Sequence, residues 1–120
     1  MAGVNAIELL KARSLALNAP VSVVLRVEAQ AEATLVVVPI MRRSGVEFVY
    51  YLAAPGFAGV QKISEKKARG VLNLVRRLRA SLGRKTRPVA LARSAVPVQD
   101  LDAHLRALET WCAEVEATDD

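Results

Sequence analysis

Cysteine, aromatic residues and long apolar stretches are all scarce in this chain of 120 residues. Cys112 is the only cysteine, which excludes a disulfide within the chain and makes the cytoplasm the expected compartment. Aromatic residues make up 4% of the sequence and hydrophobic residues 52%, so we expect an aliphatic core of Val, Leu and Ala. No apolar run approaches the roughly 20 residues that cross a membrane, and residues 1–5 lack the basic start of a signal peptide. These absences predict a small soluble protein with one domain, 1–120.

The residue groups that catalysis or metal binding requires are also missing. His104 is the only histidine, and without a second histidine or a cysteine cluster we expect no metal site. Asp100 precedes His104 by one helical turn and is positioned to hydrogen-bond to it. Cys112 is too far from His104 for a nucleophile–base pair on one helix, so we interpret it as a small buried hydrophobe. The glycines of residues 56–59 match no phosphate-binding fingerprint. The sequence therefore predicts a protein that is not an enzyme and has no cofactor.

Charge is plentiful but strongly segregated along the chain. The formal net charge is +5. Between Lys62 and Arg87 there are ten basic residues and one acid, which gives this segment a charge of about +9. From Val98 to the end there are seven acids and one base, which gives about −6. A concentrated field of one sign attracts partners of the opposite sign and speeds encounter with them.

Hydrophobic periodicity predicts a sheet of three or four strands. Alternating or continuous apolar residues indicate strands at 21–29, 35–42 and 46–53 with short connections, which favours an antiparallel meander. A short fourth strand is expected at 89–93. Proline cannot donate a ladder hydrogen bond, so Pro39 predicts either a bulge in the second strand or an edge position for that strand.

Three helices complete the predicted order α-β-β-β-α-(β)-α. The first, over 5–17, begins with the capping-box pair Asn5 and Glu8. A second helix, over 64–82, is expected to begin with Ser64 as its N-cap. An acidic C-terminal helix is expected over 97–117. The fold class predicted is α+β, with helices on one face of a mainly antiparallel sheet. We expect residues 5–96 to form the core of the domain.

The C-terminal helix has a seam of apolar residues at 4-3-4-3 spacing, which is typical of coiled coils. This seam can pack either on the core of its own chain or on a second copy. A homodimer is expected because the sheet has apolar residues on both faces and cannot bury all of them alone. The seam consists of Leu101, Leu105, Leu108, Cys112 and Val115.

The second helix is the strongest functional signal. One face is apolar and the opposite face is basic, so lysines and arginines can follow a phosphate backbone. We predict a small protein that binds nucleic acid, either DNA or RNA. Tyr50, Tyr51 and Phe57 precede this helix and can stack on unpaired bases, although Tyr50 and Tyr51 must point to opposite faces of the sheet. The predicted phosphate-contacting residues are Lys66, Lys67, Arg69, Arg76, Arg77, Arg84, Lys85 and Arg87, with Arg42 and Arg43 as an extension.

Two other interpretations of the basic helix remain open. The first is an adaptor, assembly or inhibitor protein that binds an acidic protein surface and oligomerises through its C-terminal helix. The second is a solvated helix face that serves solubility alone. The acidic C-terminal helix is itself a candidate to cover the basic helix, and the sequence leaves this open.

The order α-β-β-β-α over residues 5–82 resembles that of double-stranded-RNA-binding domains and of the Alu-binding proteins of the signal recognition particle. Lys66-Lys67-Ala68-Arg69 is similar to the basic cluster that opens the second helix of the first family. Glu8 occupies a position where that family often has a glutamate facing a ribose hydroxyl. Residues 30–33 depart from that family's Gly-Pro-x-His loop. The resemblance is one of layout, and a shared layout does not by itself imply a shared function.

Overall fold

The described part of the chain contains three helices and five strands. The computed structural model describes residues 6–28, 31–54, 59–82 and 96–117, and side chains within 6–25, 33–54, 59–73 and 96–114. The helices are α1 (Ala6–Leu17), α2 (Glu65–Leu82) and α3 (Leu101–Ala117). The strands are β1 (Val21–Glu28), β2 (Ala31–Arg42), β3 (Gly45–Ala54), β4 (Gly59–Ile63) and β5 (Val96–Pro97).

The five strands form one antiparallel sheet in the order β4-β3-β2-β1-β5. The registers align Val21, Val37, Tyr50 and Ile63 in one row across four strands. All four side chains are at most 8% exposed. Helices cover this row and remove its aliphatic and aromatic side chains from water, which stabilises the fold.

Helices α1 and α2 cover this face of the sheet, as the sequence predicts. Ile7 and Leu10 of α1 pack with Ala68 and Leu72 of α2 against the row and its neighbours. Asn18 ends α1 with a positive φ of 49°, and its N–H donates to the carbonyl of Leu15. Asparagine is one of the few residues other than glycine that tolerates this conformation at a helix end.

Helix α3 lies on the opposite face, so the expectation that the helices share one face is wrong for this helix. Ser22 follows Val21 in β1 and therefore points away from the α1–α2 face. Its Oγ lies 3.1 Å from Nε2 of His104 in α3. Val36, also on this second face, is fully buried, and Cys112 of α3 is 2% exposed. The chain's own helix therefore covers much of the second apolar face, while Val24 on the same face is 45% exposed, and the homodimer stays a prediction.

The strand predictions need three corrections. Strand β4 was not predicted, because exposed and buried residues do not alternate along it. The additional strand beside β1 is β5 at Val96–Pro97, while the strand expected at 89–93 lies outside the described residues. Strand β2 begins at Ala31, four residues before its predicted start.

Pro39 causes no bulge, since the pairing of β2 with β3 continues through it without a shift. Strand β2 also lies inside the sheet, not at its edge. However, β1 begins at Val21, opposite Val37, so the described strands flank Pro39 only on the β3 side. A residue without an N–H is tolerated where one neighbour is missing.

Candidate nucleic-acid interface

The basic helix begins where the sequence predicts. Ser64 caps it, because its Oγ accepts a hydrogen bond of 3.2 Å from the N–H of Lys67. Lys66 and Lys67 are exposed in the first turn. Neither forms an ion pair with another residue that the structure describes. Their ammonium groups are therefore open to solvent at this end of the helix.

Arg69 is bonded to two carboxylates of its own chain. Its Nη2 donates to Oε1 of Glu8 over 2.7 Å and approaches Oε2 of Glu65 at 3.3 Å. The arginine side chain is 33% exposed, so it lies between α1 and α2. These ion pairs take up the charge that was predicted to contact a phosphate. Glu8 was predicted to form a capping box with Asn5, and in the structure its carboxylate accepts the bond from Arg69. Asn5 lies outside the described residues.

Glu65 is the centre of this polar cluster. Its Oε1 accepts a hydrogen bond of 2.9 Å from Lys11 and one of 2.7 Å from the phenol of Tyr50. The Lys11 ammonium also lies 5.0 Å from the centre of the Phe48 ring. The cluster joins α1, β3 and the start of α2, so it fixes how the basic helix leaves the sheet. The cluster was not predicted from the sequence, although the i,i+4 spacing of Glu65 and Arg69 indicates a pair.

The hydrogen bonds in the cluster shift two pKa values in opposite directions. Hydrogen bonds from Tyr50 and Lys11 lower the pKa of Glu65 from 4.5 to about 2. Burial raises the pKa of the Tyr50 phenol, and its bond to the Glu65 carboxylate raises it further. Glu65 is therefore ionised and Tyr50 protonated at neutral pH, which is the state in which their hydrogen bond is strongest.

The two arginines of the predicted extension lie at the β2–β3 turn. Arg42 pairs across the turn with Glu47, and Arg43 is exposed. Gly45 completes the turn at a φ of 132°, a conformation that side-chain-bearing residues rarely adopt. The turn and the start of α2 lie at the same end of the sheet, because β4 runs toward this end before α2 begins.

The rest of the predicted basic patch is only partly described. Arg76 and Arg77 lie within α2, but their side chains are not among those described. Residues Arg84, Lys85 and Arg87 lie outside the described residues. The structure thus brings together the start of α2 and the cluster around Glu65. Arg42 and Arg43 lie at the same end of the sheet but farther out, at the β2–β3 turn.

Of the aromatic residues proposed to stack on bases, Tyr50 is unavailable because it is a core residue that is 2% exposed. Tyr51 is half-buried and points to the α3 face. The prediction that these neighbours point to opposite faces is confirmed. Phe57 lies outside the described residues.

The acidic helix α3 does not share a face with the basic helix. Its exposed acids Asp102, Glu109 and Glu114 lie on the α3 side of the sheet, whereas α2 lies on the other side. The predicted seam faces the sheet, since Cys112 is buried and Leu105 and Leu108 are half-buried. The two charged helices are therefore separated by the sheet.

A cleft of about 470 Å³ lies where β1, β5 and the start of α3 meet. Ser22, His104 and Asp100 all line it. The Asp100 carboxylate accepts a hydrogen bond of 3.1 Å from the N–H of Ala103 and so caps α3. His104 bonds through its ring to Ser22 and through its backbone N–H to the carbonyl of Asp100. These contacts anchor α3 on the sheet and do not form a Ser-His-Asp relay.

Over the described ranges, no three His, Cys, Asp or Glu side chains lie close enough together to hold a metal ion. No helix in the described part of the chain is both long and apolar enough to span a membrane. No protein-family model, curated protein or solved structure matches the chain. The function is therefore inferred from the geometry and charge of this chain.

Proposed function

We propose that this protein binds nucleic acid, without catalysing a reaction, through phosphate contacts made by the exposed face of α2. The observation that supports this best is the separation of α2 from the acidic helix α3 by the sheet. If α3 lay on α2, its carboxylates would neutralise the basic face. With the helices apart, the exposed lysines at the start of α2 face solvent, where their positive charge attracts polyanions.

The position of Lys66 and Lys67 adds support. Both are exposed in the first turn of α2, where the helix dipole disfavours cations by roughly 0.3–1 kcal/mol each. Helix stability therefore does not explain them. A phosphate at the same place interacts favourably with the dipole and with both ammonium groups.

Arg69 has a supporting role in this proposal. Its bonds to Glu8 and Glu65 hold α1 against α2 and orient the first turn of the helix. Reversing its charge would place a third carboxylate beside two others and would destabilise the fold. Arg69 is therefore unsuitable for testing phosphate contacts, and the test should use the exposed lysines.

The test is fluorescence anisotropy with labelled single- and double-stranded DNA and RNA at about 50 and about 200 mM salt. Binding should weaken steeply with salt, and Lys66→Glu should weaken it several-fold and reduce the salt slope by about 1. Arg106→Glu is the matched control, because it makes the same charge change at an exposed site on α3.

Two results would contradict the proposal. Equal losses in Lys66→Glu and Arg106→Glu would show that binding follows net charge and not the α2 surface. If none of the four nucleic acids binds at the lower salt concentration, the proposal is wrong, and an acidic protein surface becomes the partner to seek.

A further inference from the structure

Strands β2 and β3 extend beyond their neighbours and form a two-stranded ribbon. Strand β1 begins opposite Val37, and β4 ends opposite Tyr50. Beyond these points the described strands pair only as β2 with β3, from Val38↔Val49 to Arg42↔Gly45. At about 3.4 Å per residue, these five pairs extend roughly 17 Å along the strands. Val38 is buried and Phe48 packs against the core, so the outer part, residues 41–47, is the part that stands free of the rest of the protein. We call residues 38–49 the ribbon.

The end of the ribbon is both basic and apolar. Residues 41–47 are all exposed. Met41 is 68% and Val46 is 38% exposed, and they are paired across the strands, so they form one apolar patch on the face shared with α2. Arg43 lies in the turn next to this patch, while Arg42, the neighbour of Met41 in β2, points to the opposite face, where it pairs with Glu47. A ribbon with adjacent apolar and cationic side chains resembles a binding surface more than a solubilising turn.

We propose that the ribbon enters the major groove of duplex DNA. This inference rests on the proposed nucleic-acid function and identifies the nucleic acid. The major groove of B-form DNA is about 12 Å wide and admits a two-stranded ribbon, whereas the minor groove is about 6 Å wide and admits one only when the duplex is deformed. The major groove of A-form RNA is deep and narrow, and side chains cannot read it. The ribbon therefore favours duplex DNA over duplex RNA.

The side chains at the ribbon end suit the chemistry of that groove. Met41 and Val46 match the methyl groups of thymines, which are the apolar feature of the major groove. Arg43 can reach either phosphate or the acceptor atoms of guanine. Arg42 can contact phosphate if it exchanges its surface pair with Glu47, and an ion pair this exposed is weak.

The ribbon and the lysines of α2 lie so that one duplex can contact both. The Tyr50–Glu65 hydrogen bond of 2.7 Å holds the start of α2 at the row from which the ribbon projects. Lys66 and Lys67 are thus at the base of the ribbon and Arg43 at its tip. When the tip is in the groove, the lysines face the phosphates that border it.

The test compares one sequence as a DNA duplex and as an RNA duplex by anisotropy, with the protein wild type or carrying Met41→Ser with Arg43→Ser. We expect the DNA duplex to bind roughly tenfold more tightly than the RNA duplex, and the variant to lose roughly tenfold on DNA. Val96→Ser with Arg106→Ser is the matched control, since it removes one exposed apolar and one exposed basic side chain outside the ribbon. Methyl green, which occupies the major groove, should compete, and netropsin, which occupies the minor groove, should not.

The outcomes separate this inference from the proposed function. If Lys66→Glu weakens binding while RNA binds as well as DNA and the ribbon variant binds as wild type does, the ribbon inference is wrong and the proposed function stands. If the ribbon variant instead turns a dimer into a monomer by light scattering and leaves DNA affinity unchanged, the ribbon serves self-association and the inference is also wrong. Failure of every duplex and single strand to bind overturns both proposals.

Discussion

Replacing Glu65 with Gln should destabilise the protein at neutral pH and should do so less at low pH. The carboxylate of Glu65 accepts hydrogen bonds from Tyr50 and Lys11 and lies beside Arg69. Glutamine has nearly the same shape and can still accept the Tyr50 hydrogen bond, but it has no charge. The comparison therefore isolates the charge of Glu65 from the packing of its side chain.

The magnitude follows from the pKa of Glu65, which is lowered from 4.5 to about 2. At about 1.4 kcal/mol per pH unit, the full effect would be about 3 kcal/mol. The side chain is 40% exposed, so solvent screens part of this interaction, and we expect about 1–2 kcal/mol. Because the pKa is lower in the folded state, this stabilisation is complete above the ordinary pKa of 4.5 and is lost as the pH falls toward 2.

The assay is urea unfolding of wild type and Glu65→Gln between about pH 7 and about pH 3. The difference in the free energy of unfolding should be largest at neutral pH and should shrink at the acidic end. Glu47→Gln is the control, because its exposed pair with Arg42 should contribute at most about 0.5 kcal/mol. A difference that stays the same at every pH would refute the reasoning, since it would show that charge is not what Glu65 contributes.

Two further predictions concern the helices. Gly70→Ala should stabilise the protein by up to about 1 kcal/mol, because Gly70 lies within α2 with open space where a Cβ would be. A lower melting temperature would show that this position is crowded. Cys112, at 2% exposure, should react slowly with a thiol reagent, and His104→Ala should speed the reaction roughly tenfold by removing the bond to Ser22. Rapid labelling of the wild type would mean that α3 does not stay on the sheet.

Local patterns were sufficient to predict most helices and strands. Ser64 caps α2 as expected because an N-cap acts on backbone groups within its own turn. Tyr50 and Tyr51 point to opposite faces because strand alternation is a local property. Strand β4 escaped prediction because its five residues have no regular alternation, and a strand this short is defined mainly by its pairing with β3.

The candidate site was harder to predict from local patterns. Helical angle placed Arg69 on the solvent side of α2, yet its strongest partner, Glu8, lies 61 residues away in α1. The pair of Arg69 with Glu65 was not predicted, although its i,i+4 spacing is a local signal for it, and nothing local indicated that Lys11 and Tyr50 would join it. Contacts between distant segments depend on how the helices and strands pack, and local patterns in a single sequence do not indicate that packing.

The sequence by itself determined the segregation of charge, the amphipathic character of α2 and the apolar seam of α3. These properties depend on residue type and on periods of a few residues. Only the tertiary structure decided that α3 packs on the sheet face opposite α2, and that β2 and β3 project beyond their neighbours. A seam specifies which side of a helix must be buried but not against what, because any apolar surface satisfies it equally. The face that α3 covers therefore depends on which apolar surface α1 and α2 leave open.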